Sequence, residues 1–328
     1  MYLNLDEIYG LHLELTSRCN LYCPQCARTI HYNYPLDELD LTTLKSLFNG
    51  FSPSLIHICG NYGDSITYSD LHSAIDIFKN SGVKYTRVYT NGSARNSDWW
   101  TTLGEQLSLG NASGEIVFSI DGLEDTNHIY RKNSSWPIIM NSVKSFINAG
   151  GNAIWEMLAF EHNEHQIEDA KQLSIDLGFS TFRVKKANRF GKLGTDNDVV
   201  LPPKNTLFKH KSIIERDKEI KKVGYKKFKQ SQQISCQYKE RQWIYIDFNG
   251  TVFPCCWFGT TWWNDQFMRN FGTEESFNIK HHSLKDILQT PFYNSELERT
   301  WGCDDKSDIC VKHCGNFDVS TKSNTIIL

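Results

Sequence analysis

The chain has 328 residues, 40% of them hydrophobic and 22% charged, a balance that predicts one or two folded globular domains and argues against a disordered or fibrous protein. It has no run of about 20 apolar residues and no basic-then-apolar start, so neither a transmembrane helix nor a secretory signal is predicted, and the expected location is the cytoplasm. A net charge of −3 argues against nucleic acid as a partner of the whole protein.

The first predicted element, LHLELT at 11–16, alternates apolar and polar residues and reads as a strand. It feeds a loop in which Cys19, Cys23 and Cys26 have the spacing C-x3-C-x2-C. Three thiolates this close converge on one soft metal centre. With only three, a four-iron cluster held here keeps one iron without a protein ligand, open to a substrate or cofactor. A zinc knuckle would need a second pair nearby, and a disulfide would need an oxidising compartment. The next cysteine, Cys59, lies inside an apolar strand-like run and is expected to be a buried core thiol.

Further strands are predicted at 55–60, 86–91, 116–121, 153–160 and 182–187, with helical patterns between them. Asp40 caps a helix that carries Leu41, Leu44, Leu47 and Phe48 on one face and stops at Gly50. The next spans 69–80, with Leu71, Ile75 and Phe78 inward and Gly82 beyond it. A third lies near 99–107. The fourth has Pro137 in its first turn and Ile139, Val143, Phe146 and Ile147 at helical spacing before Gly150. The fifth runs over 166–177 and stops at Gly178. Strands alternating with helices imply a parallel sheet with right-handed crossovers. Six such units fit an α/β fold, an open or partial (β/α)6 TIM-like barrel over 1–187, with chemistry at the carboxyl ends of the strands.

Those strand ends are distinctive. The second is followed by Gly60-Asn61-Tyr62-Gly63-Asp64-Ser65, where two glycines allow either close backbone approach to a ligand or a tight turn. The third ends in Thr90-Asn91-Gly92. The fourth ends in Ser119-Ile120-Asp121-Gly122, with Ser119 and Asp121 on one strand face and Arg131 about ten residues on. Asn163 follows the fifth, flanked by His162 and His165, which read as exposed residues at a helix start rather than as ligands.

Beyond the barrel the character changes. Residues 188–230 form a basic helical linker, with ten Lys or Arg against three Asp or Glu over 204–229. This is a solvated surface or, alternatively, a docking face for an acidic peptide or an electron donor. Residues 231–316 are rich in Cys and Trp. WIYID and TVF flank Asn249-Gly250 as a β-hairpin that carries Cys255 back towards Cys236, and Cys310-x3-Cys314 follows a helical stretch near 283–288. The tail, 317–328, is expected to be loosely held.

The C-x3-C-x2-C on the first strand–helix loop resembles the signature of the radical S-adenosylmethionine (SAM) superfamily, over roughly residues 8–316. Gln25 departs from the aromatic residue often found before the third cysteine. Gly60, Asn61, Gly63 and Asp64 resemble the family's Gly-Gly-Glu-Pro motif, which meets the amino group of SAM, with Asp64 in place of Glu and Ser65 in place of Pro. Asn91 matches its T-N-G. The resemblance sets Ser119 and Asp121 against the methionine group and ribose, and Arg131 against the SAM carboxylate. Gly250-x4-Cys255 with Cys236 resembles the start of the SPASM and twitch auxiliary-cluster motifs. It implies one auxiliary [4Fe-4S] cluster on Cys236, Cys255, Cys310 and Cys314, with Cys256 and Cys303 as spare candidates and a four-cysteine zinc site as the alternative.

The implied activity is reductive cleavage of SAM at the open [4Fe-4S] cluster, with the electron coming from a reduced flavodoxin or ferredoxin. A 5′-deoxyadenosyl radical then removes a substrate hydrogen, and the auxiliary cluster accepts an electron or binds the substrate. The favoured substrate is a ribosomally made peptide. Because the barrel starts near residue 1, a separate leader-peptide recognition protein or the basic linker is expected to guide it. Dehydrogenation of a small alcohol or sugar is the alternative. A non-enzymatic iron–sulfur electron carrier is the third class, and the SAM-like strand ends count against it.

Overall fold

Alternation along the strands gives the sheet two unlike faces. In the computed structural model, which describes residues 2–31, 34–108, 113–186, 191–192, 199–209, 211–260, 266–316 and 325–327, six strands pair in sequence order as parallel neighbours: β1 (Gly10–Leu13), β2 (Leu55–Ile58), β3 (Tyr85–Thr90), β4 (Ser113–Ser119), β5 (Asn152–Ala159) and β6 (Thr181–Lys186). Ile56, Ile58, Val88, Phe118, Trp155 and Val184 lie on one face in the main core. The other face, the lumen of a partial barrel, carries His57, Arg87, Tyr89, Glu115, Ser119, Glu156, Arg183 and Lys185, most of them still partly open.

All five predicted helices form, at Leu41–Leu47, Leu71–Asn80, Ser97–Ser108, Trp136–Asn148 and Ile167–Leu177. Their ends follow local chemistry. The Asp40 carboxylate accepts the Thr43 amide at 2.8 Å, and Gly178 closes the last helix at φ +85°, where a side chain would be strained. Among the described residues no helix is long and apolar enough to cross a membrane.

The linker is helical over Lys211–Val223 and Tyr225–Ser231, after a small ribbon of β7 (Gly191–Lys192) and β8 (Val199–Val200) that the sequence did not suggest. The rest of 187–198 lies outside the described residues. The predicted hairpin is present as β9 (Trp243–Ile246) and β10 (Val252–Phe253), antiparallel to each other. Its connection is five residues long, wider than a two-residue Asn-Gly turn. The Asp247 carboxylate closes it by accepting the amides of Asn249 and Thr251, and Gly250 sits at φ +90°.

The hairpin does not stand apart from the barrel. β9 pairs in parallel with β1, so Gly10 lies opposite Trp243 and Leu13 opposite Ile246. At the other edge β11 (Thr325–Ile327) pairs antiparallel with β6. The last described residues of the expected loose tail are therefore tied to the sheet; 317–324 and 328 lie outside the described residues. One nine-stranded sheet results, in the order β10-β9-β1-β2-β3-β4-β5-β6-β11.

β9 and the helix Gln237–Glu240 also close the amino-terminal end of the lumen. A Cβ on Gly10 would fall 2.4 Å from the Trp243 indole, so only glycine admits that ring. His12 bridges to the same region. Its Nε2 lies 2.8 Å from the Cys59 carbonyl, which can only accept, so Nε2 carries the hydrogen and Nδ1 accepts from the Tyr238 hydroxyl at 2.8 Å. Burial pulls the His12 pKa down to about 4, which keeps the ring neutral. Cys59 itself turns to the lumen and is half-buried, not packed in the core as expected.

Candidate functional site

The chain leaves β1 through a loop that holds Cys19, Cys23 and Cys26 and enters a short helix, Ala27–Ile30. Contacts from several strand ends fix this loop. The Tyr22 amide donates to the Lys132 carbonyl, Asn20 Nδ2 to the Ser93 carbonyl at 2.8 Å, and the Thr29 hydroxyl to the Cys23 carbonyl at 2.8 Å. Arg28 donates to the Leu21 carbonyl at 2.6 Å and lies over the Tyr22 ring. Leu21, Cys23, Tyr130, Phe160 and Val200 form a separate apolar cluster, with Cys19 and Cys26 packed against it. Burial pushes the Cys19 and Cys23 thiols up to about 12, with the Asp64 charge adding to the effect at Cys19 and Arg131 opposing it at Cys23. Metal-free, these thiols keep their protons, and a metal binding there must displace them.

The loop 60–65 after β2 is shaped by a residue the sequence reading passed over. Glu14, one residue beyond β1, is buried. Its Oε1 accepts the Tyr62 amide at 2.7 Å and the Gly63 amide at 3.0 Å, and its Oε2 accepts the Tyr245 hydroxyl from β9. A Cβ on Gly60 would meet Glu14 Oε1 at 2.6 Å, and one on Gly63 would meet the Thr16 carbonyl oxygen at 1.8 Å. Both glycines are thus demanded by the chain's own close packing rather than by a ligand. Asn61 points to the C-terminal region: its Nδ2 donates to the Cys256 carbonyl at 2.9 Å and to the Tyr245 hydroxyl at 3.2 Å. The only early hint of Glu14 was an acid set between two leucines in a strand.

Asp64 is fully engaged within the protein. Oδ1 accepts the Thr90 hydroxyl at 2.7 Å and the Ile66 amide at 3.2 Å, while Oδ2 accepts both the amide and the Nδ2 of Asn91 at 2.7 Å. Asn91 Nδ2 in turn lies 3.0 Å from Asn20 Oδ1 and 3.9 Å from Cys19 Sγ. Asp64 therefore joins the ends of β2 and β3 and aims Asn91 at the cysteine loop.

Asp121 and Arg131, assigned by resemblance to different parts of SAM, are joined to each other. Arg131 Nε donates to Asp121 Oδ2 at 2.6 Å, and Asp121 Oδ1 accepts the Leu158 amide at 2.7 Å. The pair lies beside Cys23, close enough for a hydrogen bond from the guanidinium. Ser119 stands half-buried on the lumen face. Asn163 is wholly buried and ties the ends of β4 and β5, donating to the carbonyls of Asp121 and Leu158 at 2.9 Å. His165 is exposed as expected, whereas His162 is half-buried and stacked on Phe160.

The later cysteines sort themselves by position. Cys236, Cys255, Cys310 and Cys314 line one small pocket, walled also by Trp257 and Trp301. Cys236 and Cys255 each open a short helix, and Cys310 and Cys314 lie one turn apart on the helix Asp308–Cys314. The spare candidates do not line it: Cys303 hydrogen-bonds to the carbonyls of Arg299 and Thr300, and Cys256 lies on the side of Tyr238. Among the described residues no three His, Cys, Asp or Glu side chains stand together closely enough for one metal ion. Four soft donors around one pocket, and three more on one loop, suit iron–sulfur clusters.

Residues 236–315 match the SPASM family, an iron–sulfur cluster-binding domain. No curated protein matches the chain. Among solved structures, Streptococcus suis SuiB bound to S-adenosylmethionine has a TM-score of 0.58 at 16% identity, covering 90% of this chain and 67% of SuiB. SuiB bound to the precursor peptide SuiA also has a TM-score of 0.58, at 15% identity, covering 88% and 66%. anSMEcpe with bound AdoMet has a TM-score of 0.56 at 14% identity, covering 94% and 89%. The chain thus spans about two thirds of SuiB. Identities this low speak for the fold, a partial barrel joined to a cysteine-rich domain. Residues 236–315 match an iron–sulfur cluster-binding domain, which bears out the expected auxiliary-cluster region and favours iron–sulfur over zinc there.

Proposed function

We propose that this chain is a radical SAM enzyme that oxidatively modifies a ribosomally made peptide. The observation that carries the reading is two thiol sets on one sheet: Cys19, Cys23 and Cys26 beyond β1, and Cys236, Cys255, Cys310 and Cys314 in a domain whose strand β9 is bonded to β1. A [4Fe-4S] cluster with an open iron and SAM would supply, when bound, an electron and a 5′-deoxyadenosyl radical for hydrogen abstraction, and one auxiliary [4Fe-4S] cluster a second redox centre. A peptide substrate is favoured by the likeness to SuiB with SuiA and to anSMEcpe with its Cp18Cys peptide. A reduced flavodoxin or ferredoxin delivers the electron, and a separate protein recognises the peptide leader.

The chain's own residues do the rest. Leu21, Tyr130, Phe160 and Val200 keep water from the first thiol set. Glu14 holds Gly60, Asn61 and Gly63 in the shape that receives the SAM amino group, and Asp64 acts as a positioning residue by orienting Asn91. Ser119 offers its hydroxyl from the lumen face, and Asp121 holds the Arg131 guanidinium beside Cys23 for the SAM carboxylate.

Mass spectrometry of an anaerobic reaction tests this reading. Reconstituted protein with reductant, SAM and a candidate precursor peptide is expected to form 5′-deoxyadenosine and a peptide lacking two hydrogen atoms. SAM left intact with every peptide would overturn it. The SAM site has its own test. Asp64→Asn turns an amide against the two Asn91 donors, so Asn91 loses its orientation and SAM binding is expected to weaken. Iron content should stay unchanged. Equal affinity in an anaerobic equilibrium dialysis would remove Asp64 from the site.

A further inference from the structure

In the lumen beside this site, two cations on β6 share one carboxylate. Glu156 on β5 carries two cations from β6: Arg183 Nε lies 2.9 Å from its Oε2 and Lys185 Nζ lies 3.2 Å from its Oε1. The other acids of the lumen are taken. Glu115 is bound by Arg87 and by the Tyr85 hydroxyl. Glu14 is enclosed by its own hydrogen bonds from 62–63 and Tyr245 and forms no ion pair with the β6 cations. Among the described residues, one unit of positive charge on β6 therefore lacks a counter-charge. The side chains of Glu156 and Arg183 are 10% and 16% exposed, while that of Lys185, at 32%, stays accessible to an incoming anion.

The position is equally specific. Ser119 on β4 lies opposite Glu156, and Glu156 lies opposite Arg183. Two strand spacings, about 10 Å, thus separate Arg183 from Ser119 at the strand end assigned to SAM. Trp243, Tyr238 and His12 pack together at the amino-terminal end of β1 and β9. Tyr89 and Cys59 stand near enough to act on the Lys185 charge, and they line the approach with a hydroxyl and a thiol.

We infer that Lys185 and Arg183, with Glu156 between them, form a subsite for a single carboxylate of the substrate. Resting on the peptide reading, the substrate is a peptide with an acidic side chain next to the residue that loses hydrogen. One missing negative charge fits a carboxylate. A phosphate monoester, at about −1.5 to −2, would leave its excess charge facing Glu156.

The test is anaerobic binding to the full reconstituted chain with SAM present. The probes are a capped Gly-Gly-Glu-Gly-Gly peptide, its Gln twin, and free glutaric acid monoamide. The Glu peptide is expected to bind on the order of 10- to 100-fold tighter than the Gln twin, as one charged hydrogen-bonded contact allows. Lys185→Met, which leaves Arg183 and Glu156 paired one to one, should erase that preference. Glu156→Gln, which leaves both cations unmatched, should widen it. Equal binding of the two peptides to the unaltered protein would overturn the subsite while leaving the peptide reading standing. Tight binding of the free acid, lost in Lys185→Met, with no binding of either peptide would keep the subsite and overturn the peptide source. A preference that survives Lys185→Met or narrows in Glu156→Gln would overturn the assignment, as would failure of all three probes to bind.

Discussion

Replacing Cys19, Cys23 and Cys26 together by alanine is expected to remove about four irons per chain, the content of one cubane cluster, and to end 5′-deoxyadenosine formation. The remaining iron should stay, because the other four thiols line a separate cavity in residues 236–315. The fold should stay as well. The cysteine loop is held by hydrogen bonds that do not use the sulfur atoms, from Tyr22, Arg28 and Thr29 to main-chain carbonyls, and by Asn20 reaching across to the end of β3. Iron analysis, the visible spectrum and 5′-deoxyadenosine assay of one anaerobic preparation check the three statements. A triple variant that still cleaves SAM would show that this loop is not the SAM-cleaving centre.

Cys255→Ala separates electron acceptance from SAM cleavage. Cys255 is buried, follows directly on β10 and lines the second cavity with Cys236, Cys310 and Cys314. If the auxiliary cluster takes the electron left on the substrate, the variant keeps forming 5′-deoxyadenosine, uncoupled from product, while the oxidised peptide disappears. A cluster that only braces the domain gives a different outcome, because metal binding and folding are coupled. β9 and β10 would loosen, and through Tyr245 they would release Glu14 and the loop 60–63. That outcome is a protease-sensitive protein without either activity. A folded variant that completes the oxidation would exclude the electron-acceptor role.

Much of this was legible in the sequence because it is local. Asp40, Gly50, Gly150 and Gly178 punctuate helices through their own backbone chemistry, and period-two alternation places every barrel strand within a few residues. The cysteine spacings likewise lie within short windows. What the sequence did not disclose are pairings between distant segments. Asp121 and Arg131 could each be matched to a ligand by motif, yet their closest partners are one another. Glu14 looked like an ordinary strand residue until Tyr62, Gly63 and Tyr245 were brought to it from two other parts of the chain. The hairpin was readable from its turn, but nothing in WIYID says that it will lie against LHLEL. Isolation of one tail segment from the sheet was the expectation, and Thr325–Ile327 instead found an open strand edge at β6.

The pairing of β9 with β1 has a consequence for how the protein is made. β1 leaves the ribosome before the neighbour on its outer edge, which lies roughly 230 residues later. At about 5–20 residues per second, that edge waits on the order of 10–50 s for its partner. During this interval a nascent barrel displays bare amides and carbonyls along β1, the kind of edge that recruits strands from other chains. A chaperone that shields β1 during this interval would therefore raise yield more than one that acts on the finished chain.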